Sequence, residues 1–337
     1  MLIVRTDREL EVPHVDAALR AAGHSLTLLP DGVSEDELIE ASREADLILM
    51  CYTPITARVI DSAPRLKGIV KYGVGIDAID IEAAKARGIP VVNVPEYAEE
   101  TVAEGAMALM IALARRLKPI QRAMDVQGWI WPEARWMGTD LSGKTLGIVG
   151  LGRIGCSVAR MAGAGFRMRV LGFDPHADAA RFTQAGVERR AELRSLLAEC
   201  DFVSLHTVLN DETRGHIGAG ELAAMKPTAF LVNVSRGALV DEAALLRALQ
   251  TGRIAGAALD VFSREPLAKE GHLLSALYAM DNVIVSPHLT FFTREAMQRL
   301  EDDTLERCVE ILTGRPVRVK SRDPRLRAQR RGVQFDE

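Results

Sequence analysis

The chain has 337 residues and a mass of 36.8 kDa, which is long enough for two domains of ordinary size. Hydrophobic residues make up 48% and charged residues 26%, a balance that excludes a disordered or fibrous chain. The formal net charge of −4 provides no overall positive field, so we expect neither nucleic acid nor a membrane as a partner.

The N-terminal residues Met1–Thr6 lack the basic region and the cleavage site of a signal peptide and predict a first strand. The longest apolar run, Ala106–Ala114, has nine residues, whereas a membrane span needs about 20. The four cysteines lie far apart without a C-x-x-C pair, which argues against disulfides and a thiolate zinc site. We therefore expect a cytoplasmic protein with buried, reduced thiols and no metal.

Short apolar runs alternate with helical patterns through the first third of the chain, which predicts a parallel α/β sheet. Helices are predicted at 15–22 and at 35–44, the second after Ser34 as N-cap. The predicted strands are Leu2–Arg5, Leu26–Leu29, Leu47–Cys51, Ile69–Tyr72 and Val91–Val94.

Apolar residues at three- and four-residue steps then predict one long helix from about Glu99 to Leu117, ending before Pro119. The three tryptophans that follow, Trp129, Trp131 and Trp136, lie within eight residues. We expect them to pack in an interface rather than to bind a ligand.

A second α/β series with six predicted strands occupies residues 144–287. An amphipathic helix, Thr293–Thr313, follows it. The tail 315–331 has eight basic residues and one acid, which favours a solvated or self-pairing tail and leaves a nucleic-acid-binding arm as the alternative. The strands are Thr145–Val149, Arg169–Phe173, Phe202–His206, Phe230–Val234, Gly256–Leu259 and Val283–Val285.

A glycine-rich turn joins the first strand of this series to a helix. Gly150 permits a tight turn, Gly152 lets the backbone approach a pyrophosphate, and Gly155 allows close packing of helix on strand. The next strand ends before Asp174, 19 residues past Gly155, near the spacing of about 20 expected for a ribose-binding carboxylate. Because a carboxylate repels a 2′-phosphate, we predict NAD rather than NADP; a simple turn aspartate before Pro175 is the alternative.

Three ionisable residues follow strands of the same series. Arg236 is suited to bind a carboxylate bidentately, and His288 to transfer a proton near neutral pH. Glu265 would orient the imidazole. Since ligands bind at the carboxyl ends of parallel strands, these residues and a nicotinamide predict the interconversion of a 2-hydroxyacid and a 2-ketoacid.

The chain resembles the D-isomer-specific 2-hydroxyacid dehydrogenase family over roughly residues 4–317. The resemblance rests on the glycine turn with Asp174 and on segments 206–215 and 233–242. It rests also on Gly73-Val74-Gly75-Ile76-Asp77, Asp260-Val261-Phe262, Glu265-Pro266 and Pro287-His288.

The resemblance implies an α/β fold of two Rossmann-like, doubly wound parallel-sheet domains with the active site in the cleft between them. Residues 1–98 and 289–337 would form the substrate-binding domain and residues 99–288 the NAD-binding domain, through which the protein would form a homodimer. Arg236 would bind the substrate, and His288 and Glu265 would be the acid/base pair. Val74 and Gly75 would offer N–H groups to the substrate carboxylate. The implied cofactor-binding residues are Gly150, Gly152, Arg153, Ile154, Gly155, Asp174, His206, Thr207, Thr213, Val234, Ser235, Arg236, Asp260 and His288.

Two further residues are expected near the substrate side chain. Tyr52 and Phe291 would form an apolar wall with one hydroxyl, which suits an uncharged side chain; alternatively, Phe291 only seals the domain hinge. Many members of the family read His-Ile-Gly or His-Leu-Gly after the proline, whereas this chain reads His288-Leu289-Thr290. Phosphoglycerate dehydrogenases often have asparagine where this chain has Ala98, and both differences argue against 3-phosphoglycerate. The alternatives are an NAD-sensing binding protein of the C-terminal-binding corepressor type and a phosphite dehydrogenase.

Overall fold

The structure is a computed structural model that describes residues 1–335. The chain divides into two compact units, residues 1–98 together with those from 293 onward, and residues 99–292. The boundary after Phe292 lies four residues beyond the predicted one after His288. The reason is that Asp260 of the second unit accepts hydrogen bonds from the N–H groups of Leu289 and Thr290.

Strands and helices alternate in residues 1–98. In chain order they are β1 (Leu2–Arg5), α1 (Pro13–Ala21), β2 (Ser25–Leu28), α2 (Glu35–Ser42), β3 (Leu47–Met50), α3 (Ala57–Ser62), β4 (Gly68–Lys71), α4 (Ile81–Ala86) and β5 (Val91–Asn93). The sheet is parallel, in the order β2-β1-β3-β4-β5. β3 and β4 are buried along their whole length, as expected for strands covered on both faces.

The second unit repeats this alternation. Its helices are α5 (Glu99–Ala114), α6 (Leu117–Gln127), α7 (Arg153–Arg160), α8 (Ala179–Gln184), α9 (Leu193–Glu199), α10 (Ala219–Ala224) and α11 (Glu242–Gln250). Its strands are β6 (Thr145–Val149), β7 (Arg169–Phe173), β8 (Glu188–Arg189), β9 (Phe202–Leu205), β10 (Phe230–Asn233), β11 (Gly256–Leu259) and β12 (Val283–Val285). They pair in parallel in the order β12-β11-β10-β9-β6-β7-β8. The prediction of two doubly wound parallel sheets is confirmed, with the two-residue edge strand β8 in addition.

The prediction of a single helix from Glu99 to Leu117 was wrong. Arg116 has a φ of +54°, in the left-handed region, and separates α5 from α6. The carbonyl of Ala114, the last residue of α5, accepts a hydrogen bond from Thr139 N–H at 2.8 Å, so a distant segment caps this helix end. Pro119 does not end the helix because it lies in the first turn of α6, where a proline costs no helical hydrogen bond.

The C-terminal segment completes the first unit with α12 (Arg294–Leu312), β13 (Val317–Val319), α13 (Pro324–Arg327) and β14 (Val333–Phe335). A Cβ at position 68 would lie 2.6 Å from Ile311 Cδ1, so α12 packs closely on β4. The basic tail is folded, because β13 pairs with β14. In addition, the side-chain amide of Gln329 accepts a hydrogen bond from Val91 N–H and donates one to the Val91 carbonyl. Lys320 pairs with Asp303, as expected for a self-pairing tail.

Within residues 1–335, no helix is both long enough and apolar enough to cross a membrane. The same residues contain no group of three or more His, Cys, Asp or Glu side chains that could hold a metal ion.

Candidate active site

The turn from β6 to α7, residues 150–155, is called the glycine loop here. Gly150 has a φ of +96°, and a Cβ there would lie 2.7 Å from Thr207 N. A Cβ at position 155 would lie 2.1 Å from the Gly150 carbonyl oxygen, so only glycine allows this close packing of helix on strand. At Gly152 a Cβ would meet no atom within 4 Å, which leaves the loop open where α7 begins. The positive end of the α7 dipole begins at this open loop, at Arg153, and the loop therefore fits a pyrophosphate.

Asp174 follows β7 and contacts the glycine loop. Its Oδ2 accepts a hydrogen bond from Leu151 N–H at 2.8 Å, and its Oδ1 accepts one from His176 N–H at 2.9 Å. The carboxylate therefore closes its own turn and also lies beside the loop. Arg181, which the sequence analysis missed, donates from Nε to the Leu151 carbonyl at 3.0 Å and places a cation at the same loop.

The segments after β9 and β10 are joined to each other. Ser235 Oγ donates to the Thr207 carbonyl at 2.6 Å. His206 Nε2 lies 2.8 Å from Ser204 Oγ, and burial lowers the pKa of His206 to about 3, so its ring stays neutral at physiological pH. The other residues predicted for these segments are Thr213, in a turn closed with Asn210, and the buried Val234.

Arg236 follows β10 and lies next to the segment that follows β11. A Cβ at position 237 would lie 1.9 Å from the carbonyl carbon of Phe262, so only glycine lets these two backbones touch. The Asn233 side chain donates to the Arg236 carbonyl at 2.9 Å and accepts from Ser235 N–H at 3.1 Å. These contacts hold Arg236 at the carboxyl end of β10.

His288 and Glu265 form a direct pair. His288 Nδ1 lies 2.8 Å from Glu265 Oε2, and Glu265 Oε1 accepts a hydrogen bond from Phe262 N–H at 2.9 Å. Both side chains are partly exposed. The Phe291 ring meets the His288 imidazole edge-on, with 6.2 Å between ring centroids. Arg236, Glu265 and His288 therefore follow β10, β11 and β12, which are neighbouring strands of one sheet.

Asp260 shapes the loop that carries His288, a role the sequence analysis did not predict. His288 has a φ of +57°, and its N–H donates to the Asp260 carbonyl at 2.8 Å. The buried carboxylate accepts from Ser286 Oγ at 2.6 Å and from the N–H groups of Leu289 and Thr290 at 2.9 and 3.0 Å. Asp260 therefore holds the loop in a left-handed backbone conformation that is uncommon for residues other than glycine.

The remaining predicted substrate residues belong to the first unit. Tyr52 follows β3 and is 38% exposed, and Val74 and Gly75 follow β4. Within residues 1–335, no hydrogen bond uses the N–H of Val74 or of Gly75. This segment therefore presents two adjacent backbone donors.

The chain is similar to known proteins over most of its length. Residues 107–290 match the family model described as D-isomer specific 2-hydroxyacid dehydrogenase, NAD binding domain. The glyoxylate reductase of Korarchaeum cryptofilum is 41% identical over 284 residues, which cover 83% of this chain and 84% of that protein. The chain belongs to the D-isomer specific 2-hydroxyacid dehydrogenase family.

Two further relatives place the chain within this family. A D-lactate dehydrogenase from Aquifex aeolicus, solved with NAD and lactic acid, has a TM-score of 0.82 at 32% identity, covering 93% of this chain and 96% of that one. The D-3-phosphoglycerate dehydrogenase of Methanocaldococcus jannaschii is 41% identical over 284 residues, which cover 84% of this chain and 53% of that protein. The chain thus spans about half the length of the curated phosphoglycerate dehydrogenases that it matches. The family model describes an NAD-binding domain, which agrees with the predicted cofactor.

Sequence reasoning missed Asp7 of this family member. Asp7 follows β1, has a φ of +56° and is buried. Its carboxylate accepts from the N–H groups of Cys51, Tyr52 and Thr53 at 2.7, 3.0 and 3.1 Å. Asp7 therefore fixes the segment that carries Tyr52. The available signal was an aspartate two residues after a buried strand.

Proposed function

We propose that the protein interconverts a D-2-hydroxyacid and its 2-ketoacid, with NAD(H) as the redox cofactor. The observation that carries this proposal is the Glu265–His288 pair, which lies at 2.8 Å in the same unit as the glycine loop. Family membership supports the same reaction class.

In ketoacid reduction, Arg236 binds the substrate carboxylate and orients the carbonyl group. When bound, NADH supplies the hydride that the carbonyl carbon accepts. His288 donates a proton to the carbonyl oxygen, and in the oxidation direction it accepts the hydroxyl proton. Glu265 accepts the hydrogen bond from Nδ1–H, which leaves Nε2 for the substrate and stabilises the imidazolium.

We assign the backbone donors of Val74 and Gly75 to the substrate carboxylate, and Tyr52 and Phe291 to an uncharged substrate side chain. An NADH-consumption screen tests the assignment with glyoxylate, pyruvate, hydroxypyruvate, branched and aromatic 2-ketoacids, and phosphorylated ketoacids. We expect reduction of an uncharged-side-chain ketoacid to exceed that of the phosphorylated acids. A protein that binds NADH and reduces none of them would fit the NAD-sensing alternative instead.

We further propose that Asp174 selects NAD over NADP. The variant Asp174→Ala should narrow the ratio of kcat/KM between NADH and NADPH by about tenfold, because a carboxylate no longer faces the 2′-phosphate. The control Asp178→Ala alters a nearby helix cap and should keep the wild-type ratio. A wild-type protein that already prefers NADPH would contradict this assignment.

Glu265→Gln should preserve a hydrogen bond to His288 but remove the negative charge beside it. The imidazolium then loses a stabilising neighbour, so kcat for hydroxyacid oxidation, in which His288 takes up a proton, should fall by about tenfold or more. Steady-state oxidation kinetics measure this loss, with Glu270→Gln as a control in the same unit. An unchanged kcat would show that Glu265 does not act on His288.

We also propose that the protein is a homodimer formed through its NAD-binding unit. Trp129 and Trp131 are 74% and 72% exposed, and the neighbouring Val126 and Met137 are exposed as well. An apolar surface of this kind is typical of a protein–protein interface. Sedimentation velocity at micromolar concentration reports the oligomeric state.

A further inference from the structure

Lys71, the last residue of β4, buries its ammonium group between the two substrate segments assigned to the first unit. The residue is only 5% exposed. Its Nζ donates to the Cys51 carbonyl, lies 3.1 Å from Cys51 Sγ and lies 5.2 Å from the centroid of the Tyr52 ring. The side chain therefore touches the segment that carries Tyr52.

The same ammonium packs against the segment that carries the two backbone donors. A Cβ at Gly73 would lie 3.1 Å from Lys71 Nζ, so the glycine makes room for the charge. The carbonyls of Gly73 and Val74 are already bound, since Val94 N–H donates to the first and Asn93 Nδ2 donates to the second. The N–H groups of Val74 and Gly75, in contrast, have no hydrogen-bond acceptor within residues 1–335.

Lys71 differs from the other buried cations of this unit in its charge partners. Arg5 pairs with Asp16 at 3.0 Å, and Arg307 pairs with Glu310 at 3.1 Å. Among the described residues, no carboxylate forms an ion pair with Lys71. Burying a positive charge without an opposite charge beside it costs free energy. A cation buried in this way is a candidate for acting on a bound anion.

We propose that Lys71 is a positioning and specificity-determining residue: its positive charge, beside Gly73 in the segment that carries the Val74 and Gly75 N–H groups, makes the site select a carboxylate over an uncharged carbonyl compound. This inference rests on the proposed function. The ammonium group of Lys71 already contacts the Cys51 carbonyl and the Tyr52 ring, so it does not touch the substrate directly. It acts instead through its electrostatic field and by joining the segment after β3 to the segment after β4.

Glyoxylate and its uncharged methyl ester are the probes, because glyoxylate has no side chain and isolates the carboxylate contact. Lys71→Gln keeps a donor for the Cys51 carbonyl but removes the charge. We divide kcat/KM for glyoxylate by kcat/KM for the ester, and we expect Lys71→Gln to lower this ratio tenfold or more. The main cause should be a higher KM for glyoxylate. A tenfold change in this ratio corresponds to a free-energy difference of about 1.4 kcal/mol. Two opposite unit charges attract each other with this energy at roughly 12 Å when the effective dielectric constant is about 20.

Two controls separate charge from structure. Lys71→Arg keeps the charge and should stay within threefold of the wild-type ratio. Lys85→Gln removes an exposed lysine of the same unit and should change nothing. If Lys71 had only a structural role, the substitution would lower kcat/KM for both substrates together and leave their ratio unchanged. Lys71→Met takes the place of Lys71→Gln if the latter does not fold.

A folded Lys71→Gln or Lys71→Met variant with a ratio within twofold of wild type overturns the inference. Failure of both uncharged variants to fold also overturns it, because Lys71 would then serve stability. A wild-type protein that binds NADH but reduces none of the 2-ketoacids of the screen would overturn the proposed function itself, and the two failures are thereby distinguished.

Discussion

His288→Asn should lower kcat for ketoacid reduction by about 10²–10⁴-fold, the usual contribution of general acid–base catalysis. Asparagine is the appropriate replacement because His288 has a φ of +57°, a conformation that asparagine adopts more readily than most residues. The backbone hydrogen bond to Asp260 should therefore persist, and the loss should report the proton transfer itself.

Single-turnover reduction measures this effect, since it separates chemistry from the release of products. The affinity for NADH, followed by fluorescence, should change little. His14→Asn, at an exposed histidine of the first unit, is the matched control. If His288→Asn retains more than a tenth of the wild-type rate, another group must deliver the proton.

Arg236→Ala should lower kcat/KM for ketoacid reduction by roughly 30- to 1,000-fold, which corresponds to about 2–4 kcal/mol for one oriented set of donors. The guanidinium is proposed to orient the reacting carbonyl as well as to bind the carboxylate, so kcat should fall and KM should rise. The NADH dissociation constant should stay within a few fold of wild type.

Arg236→Lys is the matched control for charge. It keeps one positive charge but loses the planar pair of donors, and a lysine does not replace arginine where binding is bidentate. We expect it to recover only a small part of the loss. Near-wild-type activity in Arg236→Ala would show that Arg236 does not bind the substrate.

Local patterns in the sequence were enough to predict the order of strands and helices. β1, β6, β7, β11 and β12 have the predicted bounds, because a run of apolar residues between turn signals predicts a buried parallel strand. The glycine loop was also readable, since each of its glycines meets a requirement of backbone geometry that acts within a few residues.

Patterns that depend on distant segments were predicted less well. The division of the long helix at Arg116 depends on Thr139, which supplies a donor to the last residue of α5. The edge strand β8 has two exposed residues and therefore no apolar pattern. The domain boundary after Phe292 depends on Asp260, which binds the backbone beyond His288.

The sequence by itself determined which residue types follow each strand, and thereby the candidates Arg236, Glu265 and His288. Only the tertiary structure brought Glu265 within 2.8 Å of His288, 23 residues away. It also brought Asp7 and Lys71 to the segment after β3, because β1 and β4 are its neighbours in the sheet. A parallel sheet juxtaposes the ends of strands that are distant in sequence, so contacts between those ends follow from strand order and not from local spacing.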